Sequence, residues 1–340
     1  MGKLKITSWN IEHLDNLYDP PRSARKERQM GIRLEAIVRQ IVEMDSDILC
    51  ILEGPAGEER IDSFTSEALG GRYVAVQSQN GDYGIRGDQW IWFLVKPALA
   101  AITELVPVST WDSFAGATWN VNYWCDFTAR RHRHYRHPQV LALEWGGIRV
   151  EFVGLHLKSK FVSGGKGAWK SGGKKRRDFI RKALKARIKL TTEAANVRSY
   201  IERKFDQVAN PAIFVMGDLN DGPGKEFFER SYLFFDLLSN IQGDVFFARR
   251  FLNHALFDFN DGLRWTVHFD DFVDPARNPK ILLDHILFTQ GLVDDSLPLR
   301  VKAGAGFVEH EIHELINAGK PKYAQTSDHR PVSLFVTTES

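Results

Sequence analysis

Apolar positions fall in short blocks, and the spacing within the blocks changes along the chain. Leu4–Trp9, Asp47–Leu52, Tyr73–Gln77, Gln89–Val95, Val140–Glu144, Arg149–His156, Ala212–Met216, Ile281–Phe288 and Val332–Val336 are runs of strand length, most of them too uniformly apolar for a strand with one face in water. Between them two stretches carry helical spacing. Met30, Ile32, Leu34, Ile37, Val38 and Ile41 recur within Arg25–Glu43, and Ile180, Ala183, Leu190, Ala194, Val197 and Ile201 within Arg177–Phe205. Gly146-Gly147 predicts a hairpin, and the segment Gly81–Gly87 a glycine-rich turn. Strands interleaved with helices predict an α/β architecture.

No internal repeat and no long linker divides the chain, so residues 1–340 are expected to form one domain. Lys158–Lys175, rich in Gly, Ser and Lys, is expected to be a loop, part of a basic insertion over about 158–178. Ala303–Tyr323 is expected to be a second insertion, over about 303–323. It contains His310-Glu311-Ile312-His313, whose histidines are three apart rather than four, so the zinc motif is not met and a surface helix is expected.

Bulk composition narrows little. The 340 residues carry a net charge of +2, and two cysteines, Cys50 and Cys125, form no disulfide framework or metal-ligand pattern. Cys50 sits within Ile48–Leu52 and reads as a core residue. Gly2 lacks a Ser or Thr at position 6, so myristoylation is not expected. With no apolar leader visible and no run of membrane-spanning length, a cytoplasmic location and no membrane span are expected.

The chemistry gathers where apolar runs end. Glu53 follows one such run, either as a solvated strand end or as a hard oxygen ligand for a divalent cation. Asp218 and Asn220, between Gly217 and Gly222, are two residues apart and address one side of an extended backbone, although an Asx turn uses the same residues. Asp284 lies among aliphatic residues and needs a partner to be buried; a histidine held by it would have its tautomer fixed and its other nitrogen free as a base. His285 alternates to the opposite face and reads as structural. His156 ends a strand and is followed by Lys158, Ser159 and Lys160, which suits a phosphate-facing edge.

Taken in order, Ile6-Thr7-Ser8-Trp9-Asn10-Ile11, Asp47 through Glu53, Arg136-His137-Pro138, Gly154-Leu155-His156-Leu157, Gly217-Asp218-Leu219-Asn220, Leu283-Asp284-His285-Ile286 and Ser327-Asp328-His329 resemble the endonuclease/exonuclease/phosphatase superfamily, the DNase I-like fold, in the style of its bacterial metal-dependent nucleases. The resemblance spans nearly the whole chain. It implies a four-layered αββα sandwich of two mixed β-sheets with the site at the sheet ends. It also implies Mg2+ (or Mn2+) as cofactor, held by Asn10 and Glu53, with Asp328 supporting the metal or the histidine. Asp218 and Asn220 would position the water and the phosphate, Asp284 would orient His329 as general base, and His156 would assist the phosphate or the leaving group. Arg136 and Lys158 would contact phosphate, and Glu12 would lie behind the metal ligands. One departure stands out: the residue before the glutamate, usually Gln in the family, is Leu52.

Two basic stretches favour a nucleic-acid substrate. They are Lys158–Lys189, with Lys174-Lys175-Arg176-Arg177, Arg181-Lys182, Lys185, Arg187 and Lys189 against Asp178, and Arg130–His137. Trp111, Trp119 and Trp124 are candidates for stacking on bases or for loop packing. Asn220 is followed by Asp221-Gly222 rather than an aromatic-Arg pair, and no Trp-Cys pair precedes Asp284, so inositol-phosphatase signatures are missing. The expected activity is hydrolysis of DNA, with RNA as the second polymer. The alternatives are a hydrolase of a lipid headgroup or small phosphate ester, and a non-catalytic binding module. No protein partner is expected.

Overall fold

The computed structural model describes residues 2–77, 88–106, 108–123, 128–233 and 236–338. The Gly81–Gly87 turn, Trp124, Cys125 and the side chain of Trp111 lie outside the described residues.

Two mixed sheets dominate. The first has the order β15 (Leu299–Arg300), β17 (Val332–Thr338), β1 (Lys3–Asn10), β2 (Ile48–Gly54), β4 (Trp90–Val95), β3 (Val74–Ala75), and β16 (Gly306–Val308) also pairs with β17. The second has the order β11 (Leu252–His254), β14 (Asp284–Thr289), β10 (Ala212–Asp218), β9 (Ile148–His156), β8 (Gln139–Trp145), β5 (Thr103–Leu105). Two further hairpins are formed by β6 (Thr118–Val121) with β7 (Arg130–Arg133) and by β12 (Val267–His268) with β13 (Lys280–Ile281).

The period of two in the strands explains the layers. Ile48, Cys50 and Leu52 of β2 join Phe214 and Met216 of β10 in the core between the sheets. The alternate residues Leu49 and Ile51 face outward against Ile37, Ile41 and Met44 of helix α1 (Ala24–Met44). Ile213 and Val215 face the other way, against Leu190, Ala194 and Val197. Both faces of each sheet are therefore covered, which is why the runs are apolar throughout. Each such side chain contributes roughly 1.5–3 kcal/mol of burial free energy.

Local signals set the helix ends. Ser23 caps α1 by accepting from the Lys26 amide at 3.2 Å, and Asp45 closes it in the left-handed region at φ 47°. Ile32, on the sequence stripe, is 40% exposed; the buried face of α1 begins only near Ala36.

The expected loop is more ordered than the sequence suggests. Within Lys158–Lys175 a helix forms at Gly165–Ser171, held by Trp169 packed edge-on against Phe179 and Phe227. A long helix then runs from Gly173 to Gln207. Within Ala303–Tyr323, β16 is part of the first sheet, and the helix His310–Asn317 lies at the surface with Glu311, Glu314 and Leu315 exposed. It buries His313, Ile316 and Asn317, with His313 Nδ1 3.3 Å from Gln40 Nε2 on α1.

Candidate active site

Strand direction brings the candidate residues to one place. β1 and β2 are parallel, so Asn10 and Glu53 emerge at the same sheet end, and β17, antiparallel to β1, begins there with His329 just before it. In the second sheet β9 and β10 are parallel and end at His156 and Asp218, while antiparallel β14 begins opposite them with Asp284 paired to Asp218. The two ends face each other. Asn10 Nδ2 donates to Asp218 Oδ2 at 3.0 Å across the sheets, and Ser327 Oγ donates to the Asn10 carbonyl while accepting from the His329 amide.

Glu53 would point into the layers if β2 continued regularly. Instead the register with β4 shifts between Ile51 and Gly54, and Glu53 adopts φ 58°. This bulge re-aims the carboxylate. Its Oε2 accepts from the His13 amide at 2.8 Å and from Gln89 Nε2 at 2.7 Å, and Oε1 lies 3.9 Å from His156 Nε2. Of the seven non-glycine residues with positive φ among those described, Glu12, His13, Glu53, Gln89 and Asn220 all belong to this region. Such concentration of backbone strain is typical of sites whose geometry is held against local preference. Gly217 is required for the same reason: at φ 143°, an added Cβ would lie 1.8 Å from the Leu155 carbonyl oxygen.

Four titratable side chains converge. His156 Nε2 is 3.4 Å from Asp218 Oδ2; His329 Nε2 is 3.9 Å from the same oxygen, and His329 Nδ1 is 2.7 Å from Asp284 Oδ2. Burial pulls the His329 pKa down, but Asp284, with Asp218 and Asp328 behind it, outweighs this and lifts it to about 10. Burial raises the Asp218 carboxyl to about 7, against the opposing pull of His329. Burial first, then Arg136, holds His156 neutral, well below the ordinary imidazole range. Asp218, Asp284 and His329 also place one ligand atom each within 4.8 Å of one another. Asp284 Oδ2 is already taken by His329, so this trio reads as an oriented imidazole beside an acid rather than as a cation nest.

Of the expected metal ligands, Glu53 and Asn10 lie at this end of the first sheet, with Asp218 bonded to Asn10 across the sheets, while Asp328 is largely exposed. Hard oxygens suit Mg2+ or Mn2+, and a bound cation would favour the ionised form of the Asp218 carboxyl that burial disfavours. These residues fit such an ion.

The other candidates take varied positions. Asn220 forms the Asx turn, its amide donating to Asp218 Oδ1 at 2.7 Å, and its Nδ2 donates to the Leu157 carbonyl at 3.0 Å beside the site. Asp328 is largely exposed, 3.9 Å from His329 Nε2. The Glu12 carboxylate is 3.8 Å from Lys322 Nζ. Arg136 donates to Gln89 Oε1, and half-buried Lys158 lies 5.2 Å from the ring of Tyr135. His285 accepts a structural role, with His254 at 2.8 Å on one nitrogen and the Asp221 carbonyl at 2.8 Å on the other.

Arg187 leaves the basic surface: it is buried and paired with Glu226 at 2.5 Å. Lys174, Lys175, Arg177, Arg181 and Lys182 stay exposed on the first turns of the long helix. Trp119 packs edge-on to His132 and His134, which favours the loop-packing reading.

Three contributors had no sequence signal of their own. Gln89 braces Glu53. Thr266 Oγ1 accepts from the Leu283 and Asp284 amides and fixes the start of β14. Arg33 forks onto the Ile11 and Thr326 carbonyls and ties the two loops behind Asn10 and His329. Beside Asn220 and Asp221 opens a cavity of about 250 Å³ walled by Phe161, Phe179, Phe228 and Phe272.

The sequence matches no family model and no curated protein. The structure does match solved ones. D. rerio TDP2 humanized by 14 mutations superposes with TM-score 0.51 at 12% identity over 99% of both chains. C. elegans TDP2 gives 0.50 at 15%, over 99% of this chain and 75% of that one. D. rerio TDP2 complexed with single-strand DNA product gives 0.50 at 12%, over 99% of this chain and 100% of that one. At such identities the likeness is one of fold, and the fold is the DNase I-like, endonuclease/exonuclease/phosphatase arrangement that the ordered motifs imply.

Proposed function

We propose that this chain is a divalent-metal-dependent phosphoric ester hydrolase, a nuclease acting on DNA, with Mg2+ or Mn2+ as cofactor. The observation that carries the reading is the meeting of Glu53, Asp218, His156 and His329 from two sheets, with Asp284 2.7 Å behind the histidine. Glu53 and Asn10 would hold the cation, with Asp328 and Asp218 at its margin. The bound ion would offset charge developing on the phosphate.

The remaining roles belong to the chain itself. Asp284 accepts from His329 Nδ1 and so presents Nε2 toward Asp218, where it takes the proton of a water placed by Asp218. A cation held beside Asp218 would offset part of the charge that helps to raise His329, which would favour the neutral ring that can accept a proton. Asn220, Arg136 and Lys158 face the phosphate oxygens. Neutral His156 donates to the phosphate or the leaving oxygen. Together they support in-line displacement by water, assisted by donors already in place.

Polymer binding is supported by the exposed cations of the long helix, whose first half borders the aromatic cavity beside Asn220 through Phe179 and Ala183. The D. rerio TDP2 complex with a single-strand DNA product is a precedent on this fold. One observation favours a second reading: the aromatic cavity beside Asn220 suits the organic group of a small phosphate ester. Digestion of plasmid and single-stranded DNA with Mg2+, run against small phosphomonoesters and diesters, separates the two. His329→Ala is expected to abolish the activity found. Charge reversal of Lys174, Lys175 and Lys182 is expected to weaken DNA binding and flatten its salt dependence, and leaving both unaltered would refute the nuclease reading.

A further inference from the structure

Leu52 removes an amide from beside Glu53, yet another amide reaches it from a different strand. Gln89 immediately precedes β4 and is held at φ 62°, a conformation that glutamine does not choose unaided. Its Nε2 donates to Glu53 Oε2 at 2.7 Å. Its Oε1 accepts from Arg136 Nε at 2.9 Å and from Nη2 at 2.7 Å. Arginine only donates and a carboxylate only accepts, so the orientation of this amide is fixed by its two neighbours. The third guanidinium nitrogen of Arg136 reaches the Leu157 carbonyl at 3.4 Å.

A full cation and a full anion are thus separated by one neutral amide. Without it, the guanidinium fork and the carboxylate would meet directly, and a bidentate pair of that kind engages both carboxylate oxygens. Glu53 would lose Oε1.

We propose that Gln89 is a positioning residue that holds Arg136 and Glu53 apart, leaving Glu53 Oε1 for the divalent cation. This rests on the hydrolase reading above, in which Glu53 binds the metal. Removal of the spacer lets Arg136 silence Glu53. The consequence is a specific coupling: the damage done by losing Gln89 depends on Arg136 being present.

Mn2+ titration of the full chain by calorimetry, without substrate, tests this, with thermal unfolding to show that each variant is folded. Gln89→Leu is expected to weaken Mn2+ binding tenfold or more. Gln89→Met, which keeps the length and lacks the donor, serves equally if the leucine variant does not fold. Adding Arg136→Leu to either is expected to restore most of the affinity, because the competing cation has gone. A structural role alone would not be rescued by a second deletion. If Glu53→Gln abolishes Mn2+ binding while Gln89→Leu and Gln89→Met leave it intact, or if Arg136→Leu fails to rescue, the spacer is overturned and the hydrolase reading stands. If Glu53→Gln itself leaves Mn2+ binding intact, both are overturned.

Discussion

Replacing Asp284 by Asn tests the proposed base directly. The side chain is fully buried and its Oδ2 lies 2.7 Å from His329 Nδ1, so the change removes a charge while hardly altering volume. In the metal-free protein the His329 pKa stands at about 10 against an ordinary 6.5, with burial working against the rise and Asp284 its main cause. The substitution removes the main cause of the rise while burial, which lowers the value, remains, so the ring is expected to titrate well below 10. The amide also loses the preference for one tautomer, since its nitrogen can face Nδ1 as readily as its oxygen. Loss of an oriented base is expected to lower kcat by about 10²–10⁴-fold with little change in KM. Titrating the ring by NMR in the metal-free variant, alongside kcat on the substrate identified, measures both halves. A ring that still titrates near 10, or a kcat lowered less than tenfold, would refute the assignment. The sign carries over to stability. Because the folded value is raised, the stabilisation from this pair is complete below 6.5 and is lost as pH climbs toward 10, so the alkaline decline should be shallower in Asp284→Asn.

Two further outcomes follow from the same geometry. Gly217→Ala places a Cβ 1.8 Å from the Leu155 carbonyl in a φ region closed to alanine, and is expected to cost on the order of 3 kcal/mol in a urea titration; a loss below about 1 kcal/mol would mean that the strand pair yields easily. His313 is buried as the neutral ring, with burial the main cause of a pKa near 3, so its contribution is present above 6.5 and lost as pH falls toward 3. Melting temperatures should therefore fall less between pH 7 and pH 4 in His313→Asn than in the parent, and parallel curves would exclude that role.

Much of the fold could be read from spacing alone, because burial on both faces leaves a direct trace. A run such as Ile48–Leu52 is apolar at every position only if neighbours cover it on both sides. Segments whose burial is partial were harder. His310–Asn317 buries three residues against α1 and the rest of its helix faces outward, so its sequence looks like surface. Lys158–Lys175 is folded by aromatic contacts with Phe227, more than fifty residues away, which no local pattern contains.

The site divides in the same way. The sequence by itself determined which residue types stand at the ends of which strands, since strand period and the glycine and Asx residues that stop a strand are local properties. It also named Glu53, Asp218, Asp284 and His329 through ordered motifs. Only the tertiary structure decided that parallel β1–β2 and β9–β10, with antiparallel β17 and β14, discharge those ends toward one another. The bulge that turns Glu53, and the Gln89 amide between it and Arg136, depend on the register of β2 against β4. Strand order, direction and register are fixed by the packing of distant faces, and a free energy summed over such contacts leaves no mark at any single position.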